Sequence, residues 1–283
     1  MTKHIALLFL GIFLCFHSIA PAEPLCHIHH YSTEDGIPQY NIMDMLQDKK
    51  GYLWLATWDG LSKFDGYEFK NYKAHSADKY FMRSNRIEKL YQDKYGRIWL
   101  KSYDGDNHCF NPATESFWGI QSIENTTTHK IATVTFQPSG KIWLILDTNG
   151  CILLKDSTFN LDDYNVKNGK LNSDKIYNII EDSKLNTWIL TDNGIKFISR
   201  KNDSKNYFTG QTGANENNQA FFSGVELANE LWFGSQNGRI WRVERNNGKN
   251  KLLQLPFHSD IIHFRKISED YVCVFEKRRF CRY

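Results

Sequence analysis

The sequence lacks most of the features that would settle a fold or an activity early. It has no C-x-x-C pair. Setting aside Cys15 leaves Cys26, Cys109, Cys151, Cys273 and Cys281, an odd number at long, irregular spacings. No disulfide framework follows from that set, and mostly isolated thiols are expected, with a Cys109–Cys151 bridge left open. Charge of one sign is also scarce. The formal net charge is +3 with the basic residues scattered, so no nucleic-acid-binding surface is expected. The one basic cluster, Lys277-Arg278-Arg279 with Arg282, reads as a solvated tail. Helical periodicity is absent, and no apolar run after residue 22 is long enough to span a bilayer.

The first 22 residues read as a signal peptide. Lys3 and His4 form a short polar start, Ile5 to Phe16 is an apolar run broken by Gly11, and Ala20-Pro21-Ala22 offers a cleavage site after Ala22. Cys15 follows Leu14, where a lipoprotein cysteine would need a small residue. The mature chain is therefore expected to be exported and soluble. Its 41% hydrophobic and 24% charged content are those of a globular protein, and its 14% aromatic content favours a β fold.

What is present in abundance is a repeat. Trp54, Trp99, Trp143, Trp188 and Trp232 are separated by 45, 44, 45 and 44 residues. In step with them run Asp59-Gly60, Asp104-Gly105, Asn149-Gly150, Asn193-Gly194 and Asn237-Gly238. Two markers in phase over five periods signal a propeller or a related array. Asx-Gly pairs are expected to make type I′ hairpin turns, with positive φ at both residues. An earlier turn, Asp48-Lys49-Lys50-Gly51, separates Ile42–Gln47 from the Trp strand, and a weaker fourth strand is expected around Tyr67–Tyr72. The Trp strand is apolar on both faces, as a strand packed between two neighbouring sheets must be.

The fold class expected is therefore all-β: a β-propeller of four-stranded antiparallel blades, five complete and a sixth partial, in an incomplete ring. The blades are placed around 31–80, 81–125, 126–170, 171–215 and 216–257, with a partial one over 258–283. Leu185 takes the place of the turn glycine in the fourth repeat. The segment Leu25 to Tyr31 is a candidate closing strand for the last blade; failing that, the molecule is an open arc with an apolar blade face exposed.

Ser32-Thr33-Glu34-Asp35-Gly36-Ile37-Pro38, Asn41-Ile42, Gln47-Asp48-Lys49-Lys50-Gly51-Tyr52-Leu53-Trp54-Leu55-Ala56-Thr57, Asp59-Gly60-Leu61 and Phe64-Asp65-Gly66 together resemble the two-component regulator propeller repeat. The resemblance is strong in the first repeat and partial toward the last, over roughly residues 31 to 257. It implies the N-terminal periplasmic sensor region of a hybrid two-component histidine kinase, detecting oligosaccharides to control polysaccharide utilisation. The chain shows no kinase histidine box, nucleotide-binding glycine boxes or receiver aspartate, and stops inside the expected first propeller. It is read as a fragment without kinase output, partnered by the rest of the sensor or a second propeller.

Ligand-binding candidates are residues that break the repeat. Trp58 occupies a loop slot filled elsewhere by Tyr103, Thr148, Asp192 and Gln236. Trp58, Tyr103 and Trp118 are the sugar-facing candidates. The five periodic tryptophans read as core. Cys26-His27-Ile28-His29-His30 offers His27 and His29 on one face but no third ligand, so no metal and no cofactor are expected. The competing reading is a streptogramin-type or polysaccharide lyase on the same fold. It needs a general base beside a cation, and His108 and His129 read instead as isolated surface histidines. No catalytic residue is assigned.

Overall fold

The computed structural model describes residues 28–74, 82, 84–118, 129–155, 160–208, 219–228, 230–245, 248–268 and 271–277. The signal peptide, Cys26, His27, Cys281 and the arginines of the basic tail lie outside the described residues.

The chain folds as consecutive antiparallel sheets. Blade one is β1 (Ile42–Gln47), β2 (Leu53–Thr57), β3 (Gly60–Phe64) and β4 (Phe69–Tyr72). Blade two is β5 (Ile87–Gln92), β6 (Ile98–Ser102), β7 (Asn107–Asn111) and β8 (Ser116–Trp118). Blade three is β9 (Ile131–Phe136), β10 (Ile142–Leu146), β11 (Cys151–Leu154) and β12 (Leu161–Tyr164). Blade four is β13 (Ile176–Glu181), β14 (Thr187–Thr191), β15 (Gly194–Ile198) and β16 (Ser204–Tyr207). Blade five is β17 (Phe221–Glu226), β18 (Glu230–Ser235), β19 (Arg239–Glu244) and β20 (Asn250–Gln254). Each pairs in chain order, and a two-stranded sheet follows: β21 (Ile261–Lys266) with β22 (Val272–Glu276).

First strands of successive blades meet, as β1 does β5 and as β17 does β13 and β21. They therefore lie nearest the axis of the array. Among the described residues the ring is not closed. Met43 and Met45 of β1 and Phe275 of β22 are exposed at its two ends.

The core is a series of apolar layers, one between each pair of neighbouring blades. Trp54 meets Ile87, Ile98 and Phe110 in the first layer, and Trp99 meets Ile131 and Ile142 in the second. Trp143 meets Ile179 and Ile189 in the third, and Trp188 meets Phe221 and Phe233 in the fourth. Trp232 is half-buried in the fifth, against the two-stranded sheet. Trp54, Trp99, Trp143 and Trp188 are 0%, 1%, 1% and 4% exposed. The repeating tryptophan is thus the wedge between one blade and the next, which is why it recurs.

The turns differ from the type I′ expectation in three blades. Both turn residues are left-handed in blades three and five, at Asn149 (φ 78°) and Gly150 (φ 80°), and at Asn237 (φ 56°) and Gly238 (φ 70°). In blades one, two and four only the glycine is: Gly60, Gly105 and Gly194. In blades one and four a threonine hydroxyl closes the turn. Thr57 Oγ1 accepts from Asp59 N at 3.1 Å and donates to Gly60 O at 2.8 Å, and Thr191 repeats both bonds with Asn193 and Gly194. Such local side-chain bonds compete with the hairpin's own geometry. At Gly60 a second constraint joins the φ of 114°: a Cβ there would stand 2.5 Å from the Tyr72 carbonyl oxygen.

The candidate closing strand is corrected in its described part. Residues 28–31 form no strand. Instead the Tyr31 ring packs on Phe64 at 5.0 Å and Phe69 at 5.6 Å, on blade one itself. The aromatic face of its own neighbour outcompetes a distant edge. Cys109 and Cys151 are free and buried. Burial raises both thiols above their ordinary range, which makes them unreactive as nucleophiles.

Candidate functional site

Four-stranded blades send two kinds of connection to one rim: the turn between second and third strands, and the link from one blade to the next. On this rim the two are stitched together. The turn glycine donates its N–H across to the link in four blades: Gly60 to Asn85 O at 2.9 Å, Gly150 to Asp174 O at 3.1 Å, Gly194 to Gln219 O at 2.9 Å, and Gly238 to Ser259 O at 2.7 Å. The Asx residues before these glycines sit within these stitched turns.

Trp58 and Tyr103 hold equivalent turn positions in blades one and two. They are 39% and 65% exposed. Arg86, the last residue of the link before β5, lies between these turns in sequence and meets both. Its guanidinium carbon is 4.6 Å from the Trp58 ring centre and 5.3 Å from that of Tyr103. The backbone fixes this arrangement. Arg86 O accepts from Tyr103 N at 2.9 Å. Asn85 beside it accepts from Gly60 N through its carbonyl, and from Ala74 N through its side chain at 2.6 Å. Two of the three sequence candidates therefore meet at one cation. Trp118 belongs elsewhere by position: it ends β8, the outer strand of blade two, in register with Cys109.

Sequence reasoning missed Arg86. A signal existed: the residue just before each first strand is Arg86, Lys130 and Lys175 in blades two, three and four. All three are exposed, and their carbonyls accept from the turn residues Tyr103, Asp147 and Asp192.

The carboxylates near the pair of rings are engaged by other groups. Asp59 pairs with Lys73 at 2.6 Å, and Asp106 with Lys130 at 3.3 Å. Burial pushes the Asp104 carboxyl up, but bonds from the Ser102 hydroxyl and Asp106 N–H outweigh it and hold the group below its ordinary range. Among the described residues no carboxylate pairs with Arg86.

His108 is not on the surface, contrary to expectation. It is 3% exposed on β7, with Nε2 3.4 Å from Ser102 Oγ, because its position in the strand turns it inward. His129 is half-buried on the rim, 3.0 Å from Thr148 Oγ1. Among the described residues no group of three or more His, Cys, Asp or Glu is placed to hold a metal ion.

Residues 36–59 match the family profile described as two component regulator propeller. The first blade carries that repeat. A 48-residue stretch is 46% identical to a histidine kinase, P4, of Formosa agariphila, covering 17% of this chain and 4% of the kinase. In structure, the chain is similar to one described as the extracellular domain of a hybrid two component system from B. thetaiotaomicron. The TM-score is 0.52 at 19% identity, over 88% of this chain and 34% of that one. That likeness establishes the propeller fold. The chain thus spans about a third of the solved relative and a small part of the kinase. No helix among the described residues is long and apolar enough to cross a membrane.

Proposed function

We propose that this chain is an exported, ligand-sensing propeller segment of a two component regulatory system. Its ligand is an oligosaccharide, and its location is the periplasm. The observation that carries the reading is the pairing of Trp58 and Tyr103 at one cation on the rim of neighbouring blades. Exposed aromatic rings give an apolar platform with polar surroundings, which suits the C–H face of a pyranose flanked by hydroxyls. The regulator propeller repeat supports the sensor role, and the name of the matched kinase supports a signalling context. Kinase output then resides outside this segment, in the rest of the sensor, which would be its partner.

The test is titration of the chain with a panel of plant and algal oligosaccharides, read by tryptophan fluorescence and calorimetry. Binding by one class, weakened at least about tenfold in Trp58→Ala and Tyr103→Ala, is the expected outcome. Binding that survives both substitutions unchanged would remove the rim from the proposal.

A further inference from the structure

Resting on that reading, we infer that the Trp58–Arg86–Tyr103 group selects an acidic oligosaccharide, one bearing a carboxylate or sulfate group on a pyranose ring. A neutral sugar needs the rings and hydrogen-bonding groups. It does not need a guanidinium held against both rings. Arg86 is held at this place by its own carbonyl, by Asn85 and by the two rings.

The charge arrangement points the same way. Lys73 and Lys130 on this rim are each matched by an aspartate, Asp59 and Asp106. Arg86 has rings for neighbours and, among the described residues, no carboxylate. A guanidinium stacked on aromatic faces keeps its N–H edges for an acceptor in the ring plane. Planar, forked donors match a carboxylate or sulfate bidentately, and such charge-assisted bonds are about twice as strong as neutral ones. A sugar ring lying on Trp58 or Tyr103 would set its acidic substituent at that edge.

The rim also carries aspartates, which would repel an anion at a distance. Asp59 and Asp106 are ion-paired, and Asp104 is bonded within its own loop. With Asp59 and Asp106 each neutralised by a lysine, Arg86 is the cation that stands against the two rings without an acidic partner among the described residues.

The experiment uses the full chain and four probes: an oligogalacturonide, a sulfated galactan oligomer, a neutral xylo-oligosaccharide and inorganic sulfate. Each is titrated by calorimetry against the wild type, Arg86→Gln and Arg86→Lys, with near-UV circular dichroism checking the fold. At least one acidic oligomer should bind more tightly than the neutral one. Arg86→Gln should weaken that binding about tenfold or more, and Arg86→Lys by less. Whether the uronate or the sulfate ester binds identifies the source of the charge. Equal binding of neutral and acidic oligomers, unmoved by Arg86→Gln, would overturn the acidic selection and leave the sugar reading standing. Inorganic sulfate binding as tightly as the sulfated oligomer would reduce the group to a simple anion site and overturn the inference. No binding by any oligosaccharide would defeat both this inference and the reading beneath it.

Discussion

Blades two and three share one sequence frame and hold their tryptophans differently. In each, a polar residue stands six positions before the Trp and a cation two positions before it: Asp93, Arg97 and Trp99, against Gln137, Lys141 and Trp143. In blade two everything turns inward. Asp93 accepts from Tyr95 N at 2.9 Å, Arg97 N at 3.0 Å and Trp99 Nε1 at 2.9 Å, and it pairs with Arg97 Nε. In blade three the same positions turn outward, to blade four. Gln137 Nε2 donates to Ile179 O at 2.9 Å, and Lys141 pairs with Glu181 at 3.1 Å. Ser139 joins them, donating to Glu181 through its N–H at 2.8 Å and its hydroxyl at 2.7 Å. Trp143 Nε1 is buried and has no hydrogen-bond partner among the described residues. Exchanging the carboxylate for an amide of greater reach removes the bond to the indole within the blade and adds one to the next blade.

The sharpest way to break this contrast is Asp93→Ala. It removes the carboxylate that pairs with the buried Arg97 and accepts from Trp99 Nε1; breaking such a buried pair costs about 3–5 kcal/mol, and urea denaturation should show that loss. A smaller effect comes from Glu181→Ala, in the clamp of blade three. Its buried carboxylate serves Ser139 and Lys141. The expected cost is about 2–3 kcal/mol, with unfolding becoming less cooperative because the clamp joins two blades. If the transition stays as steep, the clamp does not couple them. Next is Trp99→Phe against Trp143→Phe. Both lose similar volume, but only the first loses a bonded N–H. Trp99→Phe should be the more destabilising by about 1 kcal/mol, and equal losses would refute the assignment of an unpartnered Trp143.

Much of the fold could be read from the repeat. The five tryptophans, the Asx-Gly pairs and the doubly apolar middle strands follow from periodicity, which a propeller imposes on every blade alike. Leu185 was visible as an exception, and it does take the left-handed φ of 64° that glycine holds in its sister turns. What periodicity could not yield was the choice among partners. Nothing in the order of residues says that Gln137 reaches outward while Asp93 reaches inward. Likewise Tyr31 chose the nearby Phe64 and Phe69, and His108 went inward beside Ser102. Of the candidate site, the two turn aromatics were found because they break the repeat. Arg86 was missed because its importance lies in standing beside residues 28 positions before it and 17 after.

The Glu181 clamp has counterparts. Ser183 donates to Glu226 of blade five through N–H and hydroxyl, at 2.7 and 2.6 Å, and Lys49 N donates to Gln92 of blade two at 3.2 Å. Each of these bonds joins a blade to the next along the chain. Such an array behaves as a row of nearest-neighbour couplings. Heat or denaturant acts first on its ends, much as a zip opens from a loose tab. The two-stranded sheet of β21 and β22, coupled among the described residues to blade five alone, is the tab: its amides should exchange with solvent ahead of those in the Trp strands, and melting should travel inward blade by blade.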